Sequence, residues 1–123
     1  MQQVYIYDAL RTPFGRLGGG LAGVRPDDLA ATVITKLVER YPNLDRNAID
    51  DVVFGNANGA GEENRNVARM ATLLAGLPTS IPGVTVNRLC GSSLDAAFHG
   101  SYSIGAGDNQ LVITGGTESM SRA

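Results

Sequence analysis

Apolar and polar positions along the chain divide it into strands and helices that take turns. Val4-Tyr5-Ile6-Tyr7, running on to Ala9, predicts a first strand. The segment from Arg11 to Gly20 is a loop, because Pro13 blocks a helix and the glycines permit positive φ. Arg25-Pro26-Asp27-Asp28 then opens a helix, with proline near its first position and acids in its first turn. Leu29, Val33, Leu37 and Tyr41, beside Ala30, Ile34 and Val38, form one apolar stripe that must cover a sheet. Pro42 ends that helix, Asp45 caps a single turn, and Asp51-Val52-Val53-Phe54-Gly55 reads as the second strand.

A loop from Asn56 to Asn66 follows, and Val67, Met70, Ala71 and Leu74 mark a second helix that Gly76 and Pro78 close. Glu62, Glu63, Arg65 and Arg69 read as the solvated entrance of this helix, with a substrate contact as the alternative. Pro82-Gly83 leads into Val84-Thr85-Val86, a short run expected to be a buried strand. After a tight turn comes a helix from Gly91 to Gly107, and Asn109 to Gly115 gives a last strand whose continuous apolar centre fits cover on both faces. Such alternation predicts an α/β fold with a mostly parallel sheet.

The Gly91–Gly107 helix carries an expectation of its own. Ser92, Ser93, Ala96, Ala97, Gly100, Ser101, Ser103, Gly105 and Ala106 are all small, and Asp95 and His99 are its only acidic or basic side chains of the Asp/Glu/Lys/Arg/His set. A helix with so little solvent face should be buried nearly all round. One sheet covers one side only. The fold is therefore expected to be incomplete alone, with a second layer supplied by a missing half or a partner.

Composition narrows the function. With 123 residues and 43% hydrophobic content the chain can form one ordinary core. A net charge of -2 argues against nucleic acid or an anionic membrane as the main partner. A single cysteine excludes an internal disulfide and a cysteine-rich metal cluster, and fits a reducing compartment. No basic stretch followed by an apolar run opens the chain, and no segment approaches membrane-spanning length, so a cytoplasmic protein is expected. The triple glycine Gly18-Gly19-Gly20 lacks the ending of a P-loop and the spacing of a dinucleotide fingerprint.

The chemistry is expected at Cys90. It falls at the corner between a strand and a helix, on the carboxyl side of a parallel sheet, where ligands of such folds bind. Unpaired N–H groups of the first helical turn, with the positive end of the helix dipole, favour a thiolate nucleophile there. The same N–H groups could hold an oxyanion. The competing reading is an inert, buried thiol. His99 is not its base: nine residues along a helix is about 13.5 Å of rise and half a turn out of phase. Pairing with Asp95, four residues earlier, is the simpler role for His99. One histidine and one cysteine make no metal site.

Four segments resemble one family in its own order. Val86-Asn87-Arg88-Leu89-Cys90-Gly91-Ser92-Ser93-Leu94 is similar to the nucleophile motif of the thiolases, the acyl-CoA C-acyltransferases. Arg11-Thr12-Pro13-Phe14-Gly15 resembles a second thiolase segment, and Asn66-Val67-Ala68-Arg69 with Ala75-Gly76-Leu77-Pro78 a third. Gly115-Gly116-Thr117-Glu118-Ser119-Met120-Ser121 resembles a fourth. Ser93 departs from the glycine that many thiolases carry, and the nucleophile stays in place.

The resemblance implies thiolytic cleavage of a 3-oxoacyl-CoA to acetyl-CoA and a shortened acyl-CoA, through an acyl group on Cys90, or the reverse condensation. It implies coenzyme A as co-substrate with no further cofactor, acyl-CoA and CoA as partners, and a homo-oligomer. The family's activating histidine, second cysteine and water-orienting asparagine lie in a C-terminal half, and its CoA-binding loop domain follows the Gly-Gly-x-Glu-Ser-Met segment. Residues 1–123 would thus be most of a thiolase N-terminal core domain, without loop domain or C-terminal half, and without turnover in isolation. Gly61-Glu62-Glu63-Asn64-Arg65-Asn66 is most similar to thiolases of aromatic catabolism that cleave 3-oxoadipyl-CoA, for which Arg65 or Arg69 could supply a cation. Two rivals stand beside this reading: a condensing enzyme of the ketoacyl synthase type, and a non-catalytic fragment that self-associates through its uncovered helix and sheet face.

Overall fold

The computed structural model describes residues 1–123. Helix α1 (Pro26–Glu39) is followed by a single turn at Arg46–Ala48, strand β1 (Asp51–Gly55) and a turn at Gly61–Glu63. Helix α2 (Val67–Leu74), strand β2 (Gly83–Val86), helix α3 (Ser92–Ala106) and strand β3 (Val112–Gly116) complete the order, before a last turn at Met120–Arg122. Local signals place these elements where expected. Asp45 caps its turn by accepting the Asn47 N–H at 2.9 Å, and Asn66 caps α2 by accepting the Arg69 N–H at 3.3 Å.

The sheet has three strands in the order β2-β1-β3, all parallel. Val53 lies in register with Val84 on one side and Thr114 on the other. Because side chains alternate along β1, Val52 and Phe54 face α1 and α2, where they join Ile34, Val38, Ile49, Val67, Ala68 and Ala71 in the core. The opposite face is covered by α3 alone. Gly55 and Gly100 let that helix lie close. A Cβ at Gly55 would fall within the backbone of Ser92 and Ser93, and one at Gly100 would stand 2.6 Å from Thr114 Cγ2.

Two expectations are corrected. Val4–Ala9 is no strand: none of its residues makes a backbone–backbone hydrogen bond, and Ile6 is 94% exposed. The segment is tied instead at its ends, by the Gln2 N–H donating to the Gly105 carbonyl at 3.0 Å and by Asp8 accepting from Tyr41 Oη at 2.6 Å and Arg40 Nη1 at 2.9 Å. A strand needs a neighbour in register, and none is beside it. Likewise β2 and β3 are half-buried edge strands. Helix α3 is buried within this chain on the side that the sheet covers. Ser92, Ala96 and Gly100 meet the sheet, while Leu94 (61% exposed), Phe98 (47%) and Tyr102 (67%) form a bare ridge at helical spacing.

Candidate functional site at the Cys90 corner

The corner is built by the seven residues from Val86 to Ser92. Strand β2 ends at Val86. The Asn87 side chain then turns the chain by accepting the Leu89 N–H at 2.8 Å, and its Nδ2 donates to the Ala57 carbonyl at 3.2 Å. Leu89 sits at φ 53°, a left-handed conformation that costs a non-glycine residue about 1 kcal/mol or more. Ser92 stabilises this strained turn from the helix side. Its Oγ accepts the Arg88 N–H at 2.8 Å and donates to the Leu89 carbonyl at 2.6 Å.

Cys90 follows the strained residue directly. Its thiol is free and exposed, not buried. The N–H groups of Gly91 and Ser92 donate to the carbonyls of Arg88 and Leu89 at 3.1 and 3.2 Å. The N–H groups of Cys90, Ser93 and Leu94 have no acceptor within the chain. A thiol beside unpaired donors at a helix N-terminus can attack a carbonyl and have the resulting oxyanion bound.

Loops from the carboxyl ends of the other strands close round this corner. The Thr117 N–H, just after β3, donates to the Gly55 carbonyl at 3.1 Å. Asn56, just after β1, donates through Nδ2 to the Thr117 carbonyl at 2.8 Å and accepts the Gly59 N–H at 2.7 Å. Glu118 accepts the N–H groups of Ala57 and Asn58 at 2.8 and 3.0 Å. Between these loops and β2 lies an open cleft of about 400 Å³, lined by Asn56–Ala60, Arg65 and Thr85–Asn87.

The four charged residues expected at a solvated helix entrance divide. Glu63 is 1% exposed and accepts from Asn58 Nδ2 at 3.3 Å. Glu62 accepts from Arg122 Nε at 2.7 Å and lies 3.8 Å from Arg25 Nη1, while Arg25 also pairs with Asp27 at 2.9 Å. The Arg122 hydrogen bond holds the Glu62 carboxyl below its ordinary range, and the Arg25 bond does the same for Asp27. Arg69 donates to the Ile81 and Thr79 carbonyls at 2.6 and 3.1 Å, and so helps to seat β2. Arg65 alone reaches the cleft.

His99 lies 3.4 Å from Asp95 Oδ2, as the spacing of the two residues predicts. Asp95 also lies 3.3 Å from Arg88 Nε. Sequence reasoning missed Ser92 and the strain at Leu89. Ser92 bonds back to the turn and does not cap α3, so no capping signal reports it, and positive φ at a leucine leaves no trace in composition.

Residues 4–123 match the family model described as "Thiolase, N-terminal domain", and the chain belongs to the thiolase family. It is 61% identical to the beta-ketoadipyl-CoA thiolase of Escherichia coli over 123 residues, which is 100% of this chain and 31% of that relative. Identity to the beta-ketoadipyl-CoA thiolase of Acinetobacter baylyi is 59%, with the same coverage. The solved structure of the Bacillus anthracis acetyl-CoA acetyltransferase superposes with a TM-score of 0.85 at 34% identity, covering 93% of this chain and 28% of that one. The chain thus spans about a third of the length of the relatives it matches. No helix in it is long and apolar enough to cross a membrane.

Proposed function

We propose that the chain forms the nucleophile-bearing part of a thiolase that cleaves 3-oxoadipyl-CoA, with Cys90 as the nucleophile. The observation that carries this reading is the exposed Cys90 thiol beside the unpaired N–H groups of Cys90, Ser93 and Leu94. The thiolate adds to the 3-keto carbon, and the resulting oxyanion is stabilised by N–H donors of the kind this corner leaves free. As that oxyanion collapses, the bond between C2 and C3 breaks, and the carbanion of acetyl-CoA leaves and takes up a proton. The succinyl group left on Cys90 passes to the thiol of a second CoA, which gives succinyl-CoA and frees the cysteine. Condensation runs through the same cysteine in reverse.

His99 is engaged with Asp95, so the proton transfers need acid and base groups beyond these 123 residues. The dicarboxylic acyl chain is suggested by the relatives near 60% identity, which carry beta-ketoadipyl-CoA in their names. A homo-oligomer in the cytoplasm completes the proposal, supported by the uncovered α3 ridge and by a single free cysteine that suits a reducing compartment.

Acetyl transfer from acetyl-CoA, read by intact mass and peptide mapping of the full enzyme, tests the assignment. One acetyl group on Cys90 is expected, and Cys90→Ala should lower turnover by at least ~10³-fold. Acetylation elsewhere, or turnover by the isolated 123-residue chain, would overturn it.

A further inference from the structure

We propose that Arg65 is the specificity residue that binds the distal carboxylate of the acyl chain. The proposal rests on the thiolase reading above and adds to it a recognition site for a dicarboxylic substrate. The cleft beside the Cys90 corner has one cationic side chain in its lining, Arg65, and no carboxylate. The nearest acids are already engaged: Glu118 with the Ala57 and Asn58 N–H groups, and buried Glu63 with Asn58 Nδ2.

Other cations near the corner are committed elsewhere. Arg69 donates to two backbone carbonyls, Arg88 lies against Asp95, and Arg25 and Arg122 share Glu62. Arg65 has neither an ion pair nor a side-chain hydrogen bond, although its backbone is tightly held. Its N–H donates to the Gly59 carbonyl at 2.8 Å, and the neighbouring Asn64 and Asn66 N–H groups donate to Gly61 and Glu63 at 3.1 and 3.2 Å. Asn64 and Arg65 stand at φ 52° and 62°, consecutive left-handed residues that direct this side chain from a fixed turn.

A guanidinium with a free fork, carried from a fixed turn in the lining of a polar cleft, is suited to bidentate capture of a carboxylate. The cleft adjoins the corner: Asn87 lines it and stands three residues before Cys90. A volume of about 400 Å³ falls in the range of small-molecule sites and leaves room for a four-carbon acyl group.

The test compares 3-oxoadipyl-CoA with 3-oxohexanoyl-CoA, which has the same six carbons and a methyl group in place of the carboxylate. In the full enzyme, Arg65→Asn should lower the ratio of their kcat/KM values by about 10- to 100-fold, as expected for a lost charge-assisted pair. Asparagine tolerates left-handed backbone, so the turn is kept. Arg65→Lys should restore part of the ratio, because it returns the charge without the fork. An unchanged ratio in Arg65→Asn, or an equal fall with both substrates, overturns the role of Arg65 and leaves the thiolase reading standing. A wild-type enzyme that shows no preference for the dicarboxylate removes the substrate reading and this inference with it.

Discussion

The two faces of the sheet are covered in different ways. On one, α2 packs against β1 and β2 and α1 packs against α2, and Ile34, Val52, Phe54, Val67, Ala68 and Ala71 join in one sealed core. On the other, α3 lies alone against β1 and β3, held close by small residues, and its outer side carries the Leu94, Phe98 and Tyr102 ridge. Close approach and burial are separate properties. The small residues of α3 bring backbones together without removing much apolar surface from water, whereas the paired helices remove a great deal. The Cys90 corner joins β2 to α3 and is tied through Asn87 to the loop after β1.

Truncation in the sealed face gives the largest effect. Phe54 is among the largest fully buried side chains, and Phe54→Ala should cost about 3–5 kcal/mol, read as a lowered denaturant midpoint. A loss under about 1 kcal/mol would mean that this face is no better packed than the other.

Acid should loosen the ties at the rim of the sheet. The Arg25 bond lowers Asp27, the Arg122 bond lowers Glu62, and the Tyr41 and Arg40 bonds lower Asp8. Asp50 is lowered by the N–H groups of Gln110 and Leu111, which it holds at the start of β3. All four bind protons more weakly in the folded chain than in the unfolded one. Their contribution is therefore present above the unfolded values, roughly pH 4, and is lost as pH falls through the depressed folded values. Asp51 acts oppositely, since burial raises it and its contribution is lost as pH rises. Four groups against one predict a falling stability from pH 5 to pH 3, measured by urea unfolding. A flat profile would show that these contacts hold little.

What the sequence discloses follows the range of the interaction concerned. Helices α1 to α3, strands β1 to β3 and the Cys90 corner are set by periodicity and turn residues within a few positions, and they are found where those signals lie. Val4–Ala9 has the alternation of a strand, yet pairing depends on a neighbour from a remote part of a chain, which no local pattern reports. Glu63 fails for a related reason. A glutamate in a polar loop reads as solvated, and only the folded loop shows it enclosed and bonded to Asn58. The thiolase motifs locate Cys90, while the difference between Arg65 over the cleft and Arg69 against the Ile81 carbonyl depends on where two side chains of the same type point.

The α3 ridge should give the smallest effect on stability, and that smallness is informative. Phe98 stacks with Tyr102 at 6.3 Å between ring centroids, and the two residues are 47% and 67% exposed. In the isolated chain, Phe98→Ser should change unfolding free energy by no more than about 0.5 kcal/mol, as for an ordinary surface position. The same substitution should weaken any concentration-dependent association of the chain, because it removes apolar area from the bare ridge. Equilibrium sedimentation of wild type and variant measures the second effect, and urea unfolding the first. A loss of several kcal/mol on unfolding would show that Phe98 is already packed within the chain. The contrast between the two faces would then be one of degree, and a second layer over α3 would no longer be needed to explain the ridge.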